Sequence, residues 1–477
     1  MTRRMLAKNL PLFALLVFLL AGCAHYDDRP LDPESNLAAF DARSLADPGL
    51  AEFMATNRPD AGASAGWNAA ELTLAAFYFQ PELAAARARW AAAVSEIGGA
   101  GEYPNPTFGI APAFNSSTSS DEGLARWVIP ASLDFTLEQP GKRKARIAQA
   151  RFRADAAWLE LVQTAWQTRV QVRAEMLDLY RARQNRDLLD AQEGFQNLLL
   201  QAIDRKRQLG GTGRMAVDQA READSMVQLD WEEAIKQEGM ARARLASVIG
   251  IPSSALRAVT LDFSEFEEQL PGEMPVSTVR KQALMNRADI LGLLAEYNAA
   301  QSQLQLEVAR QYPDLVIGPG YEYDQGDNKW GLGLSFTLPL FNRNQAAIET
   351  ARRRREEAAA RFNALQTSVL GNLGQASADY SHTYVQFLIA SKMHAARKAM
   401  FQRLEKQAME GAVSAEQELA GQIALLEMNK VKLAAQMEAQ AALGRLESEL
   451  QSPADLPGWQ TALKQTIDHN EDAHENN

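Results

Sequence analysis

Two rhythms of apolar residues divide the chain. From Gly141 to Gly210 no proline intervenes, and Ile147, Ala150, Ala154, Ala157, Leu161, Ala165, Val172, Met176 and Leu179 recur at spacings of three and four or their sum. This is a coiled-coil-like seam, and the stretch predicts a helix of roughly 100 Å at about 1.5 Å per residue. A second stretch, 342–409, carries Ile348, Ala351 and Ala358, with Arg355 interrupting the stripe. Each long helix ends at a glycine-marked turn, and shorter return helices follow over 214–250 and 414–451. The second rhythm has period two, the mark of a strand. Trp330, Leu332, Leu334, Phe336 and Leu338 alternate with Gly331, Gly333, Ser335 and Thr337. Trp127, Ile129, Leu133, Phe135 and Leu137 do the same against Ser132, Asp134 and Thr136.

These runs predict strands at 106–115, 126–138, 314–324 and 329–340. Large apolar side chains on one face and small or polar ones on the other fit a lipid-facing barrel strand of about 9–11 residues. Four strands cannot close a barrel, since the smallest use about eight. Two chains would give an interior filled by side chains; a trimer is the smallest open solution. The expected fold class is an α+β membrane protein. Long α-helices form a trimeric α-helical barrel, and four strands per chain contribute to a 12-stranded transmembrane β-barrel.

The chain reads as a tandem duplication. Leu133-Asp134-Phe135-Thr136-Leu137 recurs as Leu334-Ser335-Phe336-Thr337-Leu338, an offset of 336 − 135 = 201. The same offset takes Ala150 to Ala351 and Arg151 to Arg352, and upstream Tyr103-Pro104-Asn105 matches Tyr312-Pro313-Asp314. The repeats span 67–250 and 277–451. The Pro-containing, acidic stretch 251–276 reads as a connector. Residues 23–66 read as an extended segment and 452–477 as a polar tail.

The first residues set the compartment. Arg3, Arg4 and Lys8 precede an apolar run from Leu10 to Leu20, too short to span a membrane. Leu20-Ala21-Gly22-Cys23 follows and resembles the bacterial lipobox. Residues 1–22 are therefore expected to be removed and Cys23, the only cysteine, to carry the lipid. A net charge of −11 argues against nucleic acid as a partner. None of the five histidines shows metal-ligand spacing, and there is no phosphate loop or nucleophile–base arrangement, so neither enzyme nor cofactor is expected. The clusters Lys142-Arg143-Lys144-Arg146 and Arg352-Arg353-Arg354-Arg355 open the long helices, where positive charge opposes the helix dipole. Anionic headgroups or inter-helix pairing would compensate them.

Taken together, the repeat of helix, hairpin, long helix and return helix resembles the TolC family of outer-membrane factors over essentially the whole mature chain. Pro81-Glu82-Leu83, Tyr103-Pro104-Asn105-Pro106, Gln139-Pro140-Gly141-Lys142-Arg143-Lys144-Ala145-Arg146 and Pro339-Leu340-Phe341-Asn342-Arg343-Asn344-Gln345 look like its CzcC-type heavy-metal efflux branch. The resemblance implies a passive outer-membrane duct. It would be coupled through a periplasmic adaptor to an inner-membrane, proton-driven transporter of the resistance-nodulation-division type, with heavy-metal cations as cargo. Organic drugs, type I protein secretion and a periplasmic coiled-coil scaffold are the alternatives. It also implies that the turns farthest from the membrane carry adaptor contacts and the closed aperture. Gly213, Arg214, Gly411 and Ser414 are the docking candidates. Asp204, Asp218, Glu410 and Glu416 are the aperture candidates, to be paired by Arg205, Arg214 or Lys406. One test applies to the N-terminus: Cys23→Ser should abolish metabolic labelling with radioactive palmitate and block N-terminal processing.

Overall fold

The computed structural model describes residues 26–57, 66–116, 126–272, 284–324 and 326–451. Cys23, the leader and the tail 452–477 lie outside them. Residues up to Arg43 form one unit, containing helix α1 (Pro33–Asp41), whose start is capped by the Asp32 carboxylate accepting from the N–H groups of Glu34 and Ser35. The rest of the chain is a second unit. It begins with α2 (Pro48–Asn57), so the described part of 23–66 carries two helices where an extended segment was expected. Pro33 and Pro48 stand at the first positions of these helices, where a missing N–H costs nothing.

Helix α3 (Ala69–Phe79) is buried on almost every side. Asn68 and Glu71 close a capping box at its start, and Pro81 ends it and opens α4 (Pro81–Gly101). Strands β1 (Thr107–Ile110), β2 (Ala113–Phe114) and β3 (Trp127–Leu137) follow. The expected first strand is broken at 111–112, where Pro112 has no N–H to donate. Next come α5 (Lys142–Gln208) and α6 (Arg214–Ile249). After the connector the plan repeats: α9 (Ala288–Ala309), β4 (Leu315–Asp324), β5 (Asp327–Phe336), α10 (Gln345–Met409) and α11 (Ala415–Leu450). β5 starts and stops earlier than the sequence pattern suggests, and 337–344 is a loop.

Each short helix starts where a return helix stops. The Gln80 side chain donates to Val248 O at the end of α6 (3.0 Å), and Arg287 donates to Glu449 O at the end of α11 (2.6 Å). Arg87, on α4, donates to Phe77 O in the last turn of α3 at 2.5 Å. Burial pushes its guanidinium down to about 10, still protonated at neutral pH. The electronegative end of α3 meets that charge.

The main core lies at mid-height of α5, around Leu161, Trp166, Met176 and Leu179, with Leu72, Phe77, Leu83, Leu245 and Ile249. The connector is not a solvated link. Its helices α7 (Ser253–Arg257) and α8 (Ser264–Glu267) place Leu256 and Phe266 fully inside that core. Gln436 and Gln440, on α11, donate to Phe266 O at 3.1 and 3.3 Å, Tyr180, on α5, donates to Glu267 Oε1 at 3.1 Å, and Tyr380, on α10, donates to Pro271 O. The connector therefore ties long helices of both repeats together. Phe266→Ala should cost about 3–5 kcal/mol, seen as a lowered unfolding midpoint of the purified protein by far-UV circular dichroism.

Candidate functional surfaces

The strands form one antiparallel sheet in the order β1-β3-β4-β5, with β2 extending β1 along β3. The two hairpins are therefore joined within the chain by β3 and β4, a pairing that the sequence pattern alone does not give. Registers pair Phe108 with Leu133, Phe135 with Ile317, Ile317 with Leu334, Leu315 with Phe336 and Tyr321 with Trp330. Directly opposed residues share a face, so every large apolar side chain of the pattern falls on one side. Phe108, Ile110, Phe114, Trp127, Phe135, Leu137, Trp330, Leu332, Leu334 and Phe336 are all exposed there, Trp330 at 81%. The opposite side carries Ser132, Asp134, Gly318, Gly320, Glu322, Lys329, Gly331 and Gly333 around a concavity. A side chain at Gly318 would run into the Asp134 carboxylate. Lys329 pairs with Asp324 at 2.5 Å and with Glu322 at 3.9 Å. Both edge strands, β1 with β2 and β5, leave backbone groups unpaired.

Below the sheet, Lys142, Arg143 and Arg146 of the basic cluster at the start of α5 find partners within the chain, while Lys144 is exposed. Asp314 Oδ1 accepts from the Gln139 N–H at 2.9 Å and from Lys142 Nζ at 2.8 Å, and the Lys142 side chain is only 9% exposed. Arg143 donates to Gly101 O at 2.5 Å and lies 4.4 Å over the Tyr103 ring. Arg146 pairs with Glu138 and donates to Ala100 O and Glu102 O at 3.2 and 3.1 Å. The carbonyl end of α4 thus compensates the misplaced charge. In the second cluster, Arg352 and Arg353 pair with Glu349 and Glu356, and Arg355 donates to Gln301 at 3.0 Å. The ion pairs of Arg352 and Arg353 lie within their own helix, and Arg355 alone among these contacts reaches another helix.

At the far ends of the long helices the two repeats use one motif. Gly210 takes φ 78° and Gly411 φ 73°. The N–H groups of Gly210 and Gly211 donate to Arg207 O and Lys206 O, and those of Gly411 and Ala412 to Ala408 O and Gln407 O. These are paired Schellman turns, which need the left-handed residue. Gly213 does not: it caps α6 at φ −88° in open space. Ser414 caps α11 in a capping box with Gln417.

The expected pairings at the aperture are partly wrong. Arg214 meets Asp218 at 3.8 Å as expected, although Arg221 shares it at 3.6 Å. Asp204 instead binds Arg207, one turn along its own helix (3.2 Å). Glu416 binds Lys206 across the repeats at 2.7 Å. Glu410 is the C-cap of α10. Arg205 turns to a groove of about 590 Å³ between α5, α10 and α11, with Phe195, Leu198, Phe401, Glu405 and Glu418. Sequence reasoning missed this groove. Phe195 and Phe401 break an otherwise Ala- and Gln-rich pattern and were the available signal. Among the described residues no His/Cys/Asp/Glu group is arranged to hold a metal ion.

A family model described as outer membrane efflux protein matches residues 79–251 and 279–450. The cobalt-zinc-cadmium resistance protein CzcC of Cupriavidus metallidurans is 26% identical over 251 residues, covering 52% of this chain and 58% of that protein. The match thus spans somewhat over half the length of this curated relative. The outer membrane channel CmeC of Campylobacter jejuni superposes with a TM-score of 0.66 at 14% identity, covering 93% of this chain and 98% of that one. The outer-membrane channel OprN gives 0.65 at 16% over 82% and 90%, and CusC 0.64 at 16% over 80% and 91%. At such identities the likeness is one of fold.

The joint below the sheet is open to test. Asp314→Ala should cost about 1.5–3 kcal/mol by stranding the Lys142 ammonium. Lys142→Met combined with Asp314→Leu should recover most of it, read as thermal unfolding midpoints of the three proteins.

Proposed function

Because the chain belongs to the outer membrane efflux protein family, we propose that three copies close their sheets into one 12-stranded barrel above a continuous helical tunnel. Members of this family are transport ducts of the outer membrane, not enzymes. The observation that carries the closed-barrel reading is the sheet itself. Its apolar face is exposed along β1, β2, β3 and β5 and half-buried on β4, while both its edges are open. Within hydrocarbon an open edge is intolerable, because each unpaired backbone group costs several kcal/mol. Joining β1 and β2 of one copy to β5 of the next removes all edges at once.

The duct receives cargo from an inner-membrane, proton-driven transporter through a periplasmic adaptor. The adaptor docks at the turns around Gly213, Arg214, Gly411 and Ser414 and in the groove between Phe195 and Phe401. Asp204, Asp218, Glu410 and Glu416 line the aperture. The ion pairs of Asp204, Asp218 and Glu416 lie at the surface and are worth about 0–1 kcal/mol each, which suits a constriction that must open. Cys23 carries the lipid that fixes the N-terminus to the same membrane. Heavy-metal cations are the cargo, the reading supported by the metal-resistance name of the CzcC relative.

A strain lacking this chain should become sensitive to cobalt, zinc or cadmium salts. Sensitivity to dyes or antibiotics alone would sink the cargo assignment. Gly213→Phe should abolish efflux with the trimer and its thermal stability unchanged, since neither backbone nor neighbours demand glycine there. Gly411→Phe should also destabilise the turn by about 1–2 kcal/mol.

A further inference from the structure

The seam between β3 and β4 inside one chain contains the design of the seam between chains. Two offsets relate the repeats: 336 − 135 = 201 for β5 against β3, and 312 − 103 = 209 for β4 against β1. The hairpin registers obey both. Ile317 pairs with Leu334, and its image, Phe108 with Leu133, is observed. Tyr323 pairs with Asn328, and its image, Phe114 with Trp127, is observed too. The duplication therefore holds at the level of single hydrogen-bonded residues, not only as a sequence echo.

Applied to the β3–β4 seam, the same offsets map a contact the chain makes onto one it cannot make with itself. Phe135 opposite Ile317 becomes Phe336 opposite Phe108, and Thr136 opposite Val316 becomes Thr337 opposite Thr107. Ile129 opposite Tyr323 becomes Trp330 opposite Phe114. The Phe336–Phe108 and Trp330–Phe114 pairs keep apolar with apolar on the exposed apolar face, while Thr337 with Thr107 falls on the opposite, polar face. The clamp below the seam maps as well. Asp314 becomes Asn105, the Gln139 N–H becomes that of Leu340, and Lys142 becomes Arg343.

We infer that Arg343 of one protomer donates to Asn105 Oδ1 of the next, in the register that sets Thr337 against Thr107 and Phe336 against Phe108; the Leu340 N–H is held by Leu338 O of its own chain at 2.9 Å. The occupant of each open sheet edge is thus a second copy of this chain. The inference rests on the closed-duct reading and specifies its seam. The contrast in exposure supports it. Lys142 is 9% exposed because its seam is filled within the chain, whereas Arg343 and Asn105 are exposed, and around them Phe341, Leu340 and Tyr103 stand 102%, 68% and 71% exposed. Among the described residues no ion pair engages Arg343. With Asn in place of Asp, the seam between chains lacks the ion pair found within each chain.

Cysteine cross-linking tests the register, since directly opposed Cα atoms lie about 4.5–5.5 Å apart, within disulfide range. In full-length protein carrying Cys23→Ser, Thr107→Cys with Thr337→Cys should give covalent dimers and trimers on oxidation. Thr107→Cys with Gly333→Cys, displaced by four residues, should not. Asn105→Asp should raise the temperature at which trimers dissociate in SDS, and Arg343→Gln should remove that gain. A trimer by native mass spectrometry without the Thr107–Thr337 cross-link, or with equal cross-linking of the displaced pair, overturns the inference and leaves the duct standing. Monomers only, in outer-membrane detergent extracts, overturn both.

Discussion

The governing constraint is that a β-strand cannot keep an unpaired edge in hydrocarbon. One chain supplies a single sheet of four ladder positions, too few to curl onto itself. On the closed-barrel reading the missing neighbours are other copies of the chain, and the rest of the sheet's design fits that need. The apolar side chains must face outward, so the glycines and small polar residues take the concave side. The strands must end at one level, so a joint must hold that level. That joint is the Asp314 clamp with the Arg143 and Arg146 contacts to the carbonyl end of α4.

Below the joint a different economy applies. The long helices are far too long to be stabilised by one core, and their Ala-rich seams bury little area per residue. The densest packing is confined to mid-height, where α3 and the connector add large side chains such as Phe77 and Phe266 to the α5 seam. Towards the far end polar residues dominate, and Gln192, Gln196 and Asp224 are buried between α5 and α6. The molecule is therefore anchored at two levels, joint and waist, with a lightly packed end beyond them.

Much of this was legible in the chain because its signals are periodic. The strand alternation and proline-free stretches gave element types, and the fixed offset gave the repeat. What escaped reading depends on tertiary partners. Phe263 and Phe266 sit among acidic residues, and their burial comes from long helices distant in sequence. The pairing of β3 with β4 leaves no local trace. The compensation of Lys142 needed Asp314, 172 residues away. Gly213 and Gly411 look alike in sequence, yet only Gly411 has a backbone that requires glycine.

The end-to-end seating of α4 on α6 and of α9 on α11 has a geometric consequence. Two helices per repeat stand side by side at every height, so each chain is four helices wide below a sheet four strands wide. Strands sit about 4.8 Å apart and packed helices about 8–10 Å. The wall must therefore fan from about 19 Å to about 32–40 Å across a few residues. A flare of that kind opens wedges between diverging elements, which long side chains can bridge. Arg143 and Arg146 reach across to the end of α4, Lys142 crosses to the start of β4, and Asn344 reaches Glu307 at 2.9 Å. The cluster that looked like misplaced charge braces a narrow sheet against the wider layer of helices beneath it.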